Sequence, residues 1–165
     1  MAEPVPPTPL RAAFEARDHD ALVEALSPDV VLWSPIFEVP FTGRDEVGDL
    51  FAVLMDELWP LTYLNEIPGD PHVLHFTADV GGKRLEGVDL LRLDEDGRVT
   101  DITVFLRPFP AVAAFLNDTG PKLADKRGGS GRAAFLKVAG APVSALMRTT
   151  AATGPRLLGL RRSKS

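Results

Sequence analysis

Asp89 is the residue in this chain best placed to move a proton. It sits in Leu85-Glu86-Gly87-Val88-Asp89-Leu90-Leu91, where alternation predicts a β-strand with Asp89 on the same face as Gly87, Leu91 and Leu93. If that face lines a cavity, the carboxyl is surrounded by hydrocarbon, and burial raises its pKa. That makes it a general acid or base suited to an enolisable ketone, ester or polyketide. If the face meets solvent or a second copy of the chain instead, Asp89 is paired with a cross-strand Arg or Lys. His75, Thr77 and Asp79 share one face of another predicted strand. His75 and Asp79 lie on the order of 13 Å apart along it and form no dyad. The polar outer face of a sheet is the first reading for His75, and the pocket lining the second.

Trp33, Phe37, Phe51, Trp59, Tyr63 and Phe105 are the large aromatics open to lining a cavity or filling a core. Tyr63 is the one tyrosine and the one phenol able to donate to a developing oxyanion. The expected pocket set is Trp33, Phe37, Phe51, Tyr63, His75, Leu91 and Phe105, with Asp89 as the catalytic group. The chain has no cysteine and three histidines, which argues against disulfides, thiolate catalysis and histidine-rich metal sites. It has no phosphate-cradling glycine loop and no nucleophile elbow. The expectation is therefore chemistry without a cofactor or metal.

These residues need elements to hold them. Thr8 with Pro9 starts a predicted helix, and Asp18 or Asp20 caps a short second one that Ser27-Pro28 ends. Val30-Val31-Leu32-Trp33 reads as a strand, and residues 36–41 as a short return interrupted by Pro40. A longer helix begins at Gly43-Arg44-Asp45-Glu46, with Val47, Leu50, Phe51, Leu54, Met55 and Leu58 on one face, and Pro60 stops it. Strands follow over residues 61–67, 72–80, 83–93 and 98–107, separated by turn chemistry at 68–71, 81–82 and 94–97. A short helix spans 111–116, and residues 117–120 end it. Helices first and antiparallel strands last is the α+β order.

At 165 residues the chain fits one domain with an appendage. Residues 1–7 read as a disordered start, 8–120 as the domain, and 121–165 as a tail. In the tail, 126–131 are a flexible linker and 133–150 a weak amphipathic helix. The net charge of −5 divides unevenly: 8 Lys/Arg against 22 Asp/Glu before residue 121, and 10 against 1 after it. The acidic body argues against nucleic-acid binding by the folded domain. The basic tail has three readings: a solvated extension, a contact with an anionic surface, or docking on the acidic body or a partner. No apolar run is long enough to span a bilayer and the start does not resemble a signal peptide, so the expected compartment is the cytoplasm.

Asp18-His19-Asp20-Ala21-Leu22-Val23-Glu24-Ala25-Leu26, Pro28-Asp29-Val30-Val31-Leu32-Trp33, Gly43-Arg44-Asp45-Glu46-Val47 and Asp96-Gly97-Arg98-Val99-Thr100-Asp101-Ile102 together resemble the nuclear transport factor 2-like superfamily, and its SnoaL-like branch most. The resemblance covers roughly residues 8–116. It implies a cone: a curved antiparallel sheet wrapped around three N-terminal helices, with a pocket at the wide end and homodimerisation through the sheet. It also implies a small apolar ligand. The superfamily includes ketosteroid isomerases, polyketide cyclases and limonene epoxide hydrolases beside members with no demonstrated activity. Two functions stay open: a cofactor-independent isomerase, cyclase or hydrolase, and a non-catalytic dimeric binding module. The hydrolases resembled carry Arg-X-Asp on one pocket strand and a second Asp on the next. Here the first becomes Gly87-Val88-Asp89 and the second falls at about Val104, so one carboxylate of the pair is missing.

Overall fold

Local chemistry sets the helix starts. The Thr8 hydroxyl accepts the Arg11 amide at 3.3 Å, and Pro9 opens α1 (Pro9–Ala16). The Asp18 carboxylate accepts the Ala21 amide at 3.0 Å and caps α2 (His19–Glu24). After β1 (Leu26–Trp33) and β2 (Phe41–Thr42), Gly43 takes φ +84° and turns the chain into α3 (Arg44–Glu57). Asp45 and Glu46 lie in the first turn of α3, where the helix dipole favours negative charge. The four strands β3 (Leu61–Ile67), β4 (His72–Val80), β5 (Lys83–Leu93) and β6 (Val99–Arg107) follow, and α4 (Phe109–Lys126) closes the described chain. The computed structural model describes residues 6–58 and 60–126. The expected disordered start therefore lies largely outside the described residues. Trp59, the glycine-rich linker after Lys126 and the weak helix over 133–150 lie wholly outside them.

The six strands form one sheet in the order β2-β1-β6-β5-β4-β3. Pairing is antiparallel throughout except between β1 and β6, which run parallel. The expectation of an antiparallel sheet holds at four of the five joins and differs at this one. The helices α2 and α3 flank β1, which enters the sheet beside the last strand instead of returning as a hairpin. Burial alternates strictly along β4, with His72, Leu74, Phe76, Ala78 and Val80 inward. That inner face and the helices enclose one core built around Leu22, Leu26, Val30, Val47, Leu74 and Ile102. A second cluster, with Leu58, Leu85, Ala111 and Phe115, joins α4 to the end of the sheet.

Three elements differ from their sequence reading, the first being β1, which begins at Leu26 and takes in the Ser27-Pro28 expected to end the second helix. The second strand holds only Phe41 and Thr42, because Pro35 and Pro40 keep the preceding segment out of the ladder. The last helix does not stop near 116 but continues through Pro121 to Lys126. A proline normally costs such a helix a backbone hydrogen bond. Here tertiary contacts offset the cost: Leu123 packs against the main core, Lys122 pairs with Glu57, and Lys126 lies 3.0 Å from Asp49.

Candidate functional site

The strand register places the central carboxyl. On β5, Asp89 pairs with Leu74 of β4 on one side and Val104 of β6 on the other, and it alternates inward with Gly87 and Leu91. It faces a cavity of about 90 Å³ between the sheet and the helices. Tyr63, Phe76, Val104 and Leu106 form the sheet wall beside it. Phe14, Phe51, Leu54, Phe115 and Thr119 form the helical wall, and residues 34–37 lie at its edge.

Asp89 is the one carboxylate among the described lining residues, and no described side chain donates a hydrogen bond or an ion pair to it. Loss of hydration therefore acts unopposed, and it pushes the carboxyl from 3.8 up to about 7. At neutral pH the group is divided between acid and carboxylate, the condition in which one side chain both takes and returns a proton efficiently. Burial, and after it the negative charge of Asp89, push the Tyr63 phenol up, so Tyr63 stays protonated as a donor.

A polar network holds Tyr63. Its ring stands edge-on to Phe76 at 6.1 Å, and the Arg11 guanidinium lies 5.1 Å from its centroid. Arg11 donates to Glu66 at 3.0 Å, while the same carboxylate accepts the Thr8 amide at 2.9 Å and His72 Nε2 at 2.8 Å. Burial alone would push the Glu66 carboxyl up; the bonds from Thr8, His72 and Arg11 outweigh it and hold the group below its ordinary value. The network ties α1 to β3 and β4 directly beside the cavity.

Of the expected pocket residues, the structure brings Phe37, Phe51, Tyr63 and Asp89 together around the cavity. Trp33, His75 and Phe105 are on the outer face of the sheet. Parity is the reason: Leu32 faces inward and so turns Trp33 out, and Val104 and Leu106 face the cavity and turn Phe105 out. Trp33 donates its indole N–H to Asp101 at 3.3 Å, and His75 bridges Asn65 and Glu86 at 2.9 and 3.0 Å. Leu91 is fully buried in the main core and does not reach the cavity. Sequence reading missed Thr119 and the Thr8–Arg11–Glu66–His72 network. For Thr119 the signal was the spacing of Phe115, Thr119 and Leu123 along one helix face, visible only if the helix continues past Gly120.

Gly87 sits where the hydrolases resembled carry arginine. A Cβ there would come within 2.3 Å of the Phe76 ring and 2.8 Å of Leu106. The strand position across from Asp89 is Val104, which supplies no second acid. Among the described residues no three His, Cys, Asp or Glu cluster as metal ligands, and no helix is long and apolar enough to cross a membrane.

The fold is shared with solved structures. A steroid delta-isomerase from Pseudomonas aeruginosa is 29% identical, covering 70% of this chain and 87% of its own, with a TM-score of 0.66. An uncharacterized bacterial protein with a cystatin-like fold from Silicibacter pomeroyi DSS-3 is 26% identical, covering 72% and 86%, with a TM-score of 0.67. No curated protein matches the chain. The sequence profile of the SnoaL-like domain matches residues 10–102, more than half of the chain, and the protein belongs to that family.

Proposed function

We propose that the cavity binds a small, largely apolar carbonyl compound and that Asp89 shuttles a proton on it, making the protein a cofactor-independent isomerase or cyclase. The observation that carries this reading is an unpaired carboxyl, poised near neutral pH, in a cavity whose other lining is mostly hydrocarbon. In the reaction the Asp89 carboxylate removes a proton from the carbon next to the carbonyl. The C–H electron pair moves to the oxygen as an enolate; the resulting carboxylic acid returns the proton to a conjugated carbon, or, where the enolate carbon attacks a second carbonyl of the ligand to close a ring, protonates the alkoxide that the broken C=O π bond leaves. Tyr63 supplies a protonated hydroxyl on the same side of the cavity for the developing oxyanion. The likeness to a steroid delta-isomerase is in keeping with that chemistry. Hydrolysis by paired carboxylates is disfavoured, since Val104 and Gly87 occupy the positions where the partner groups are needed.

The test is solvent exchange. Cyclohexanone incubated with the full chain in D2O should gain deuterium next to its carbonyl faster than in buffer, as followed by proton NMR. The Asp89→Asn variant should lose about 100-fold or more of that acceleration. No acceleration by the wild type, or an equal one by a folded D89N, sinks the reading.

A second reading, a dimeric module, is favoured by the exposed Trp33, Ile67 and Phe105 on the outer sheet face. We assign that face to a second copy of the chain. Native mass spectrometry showing only monomer at micromolar concentration would remove it.

A further inference from the structure

Thr119 is 5% exposed, and its hydroxyl is the one buried side-chain polar atom among the described residues with no hydrogen-bond partner. A helical threonine normally settles such a hydroxyl on the carbonyl one turn back, and this one does not. Its surroundings are apolar: Phe115 one turn before and Leu123 one turn after line the same cavity. Ser34, another hydroxyl on that lining, is already engaged by the Ile36 amide at 3.1 Å. An unpartnered buried hydroxyl destabilises a fold, whereas a valine of the same shape would not. Among the described residues the cavity that Thr119 lines offers a partner a place, and a turn about the Cα–Cβ bond brings the hydroxyl to it.

We propose that Thr119 is a second polar anchor of the site, hydrogen-bonding an oxygen of the ligand other than the carbonyl on which Asp89 acts. This rests on the reading of the cavity above and narrows it: the substrate class is a small, mostly hydrocarbon ketone bearing a further hydroxyl or carbonyl. The two anchors stand on different walls, Asp89 on β5 and Thr119 on α4, so they serve different ligand atoms. Thr119 lies beyond the span matched by the family profile, residues 10–102. The sheet thus supplies the proton-transfer group, while the last helix sets which ketone fits.

Two probes test this on the full chain, cyclohexanone and 4-hydroxycyclohexanone, with dissociation constants read from amide shifts of cavity residues in 1H–15N spectra. Wild type should prefer the hydroxyketone, Thr119→Val should lose roughly 5–10-fold of that preference, and Thr119→Ser should keep it. Cyclohexanone affinity should change by less than the hydroxyketone's in T119V, and ligand-free T119V should melt a few degrees higher than wild type. If wild type binds cyclohexanone but shows no preference, or T119V retains the preference, Thr119 is no anchor and the cavity reading survives. If neither probe shifts cavity amides in the wild type, both fall together.

Discussion

Replacing Asp89 with asparagine should stabilise the protein, and the gain should depend on pH as expected of an unpaired carboxyl drawn out of water. The folded carboxyl stands at about 7 against an ordinary 3.8, raised by burial. For an acid shifted upward, the fold favours the neutral form. Stability from this group is therefore highest below its unfolded value, falls as pH rises toward 7, and is level above that. Each pH unit in the window is about 1.4 kcal/mol, so the ionised carboxylate costs the fold on the order of 4 kcal/mol at pH 8.5, less whatever hydration the cavity mouth allows. At pH 5 the same reasoning leaves a cost of ~1.7 kcal/mol. Asparagine has the shape of the neutral acid and no proton to lose. The stability of D89N relative to wild type, from urea denaturation, should grow by about 2–3 kcal/mol between pH 5 and 8.5. Taking the difference cancels every other titrating group that the two proteins share. A difference that does not change with pH refutes the placement of Asp89, half-buried and unpaired, against an apolar cavity. Increased stability together with lost deuterium exchange would mark a residue that serves reaction at the expense of the fold.

The Glu66 network should behave oppositely. Its carboxyl is held below 4.5, so its contribution is present above the unfolded value and is lost as pH falls through the folded one. Glu66→Gln should cost about 3 kcal/mol at pH 7 and much less at pH 3, again by urea denaturation; an equal cost at both would show that the charge plays no part. At Gly87 an added methyl meets the Phe76 ring, so Gly87→Ala should lose about 1–3 kcal/mol through overpacking. A melting temperature unchanged from wild type would mean the ring moves aside freely.

Most of the fold was legible because turn and cap chemistry is local. Thr8, Asp18, Gly43 and the Gly81-Gly82 and Gly97 turns mark boundaries that the structure keeps to within a few residues. The alternation of β4 and β5 likewise grouped the residues that share a face, while only the packing of the sheet on the helices turns the face of Asp89 to the cavity, and a register shift after Arg92 leaves Leu93 exposed. What local pattern did not carry was which aromatic points inward. Trp33 and Phe105 are large and apolar, yet parity next to Leu32, Val104 and Leu106 turns both outward. Hydrophobicity alone favours burying them; the register of the sheet overrules it. The length of α4 failed for a related reason. Gly120-Pro121 reads as a stop, and only ion pairs to α3 and the seat of Leu123 on the core, contacts remote in sequence, carry the helix through.

Among the described residues, two polar groups without a partner, the half-buried Asp89 and the buried Thr119, line one cavity. Elsewhere among the described residues polar groups drawn under the surface are satisfied: Glu66 collects three donors, His72 donates to it, and Ser27 donates to Asp29. Around the cavity Asp89 carries a charge without a partner and Thr119 a hydroxyl without one. Leucine at the first position and valine at the second would fill the same space without either cost. A core needs neither group, and a solvent-facing surface would hydrate both. Their meeting across one apolar cavity, one on the sheet and one on the helix that closes it, is accounted for by a ligand that brings the missing oxygen and the acidic carbon–hydrogen bond with it.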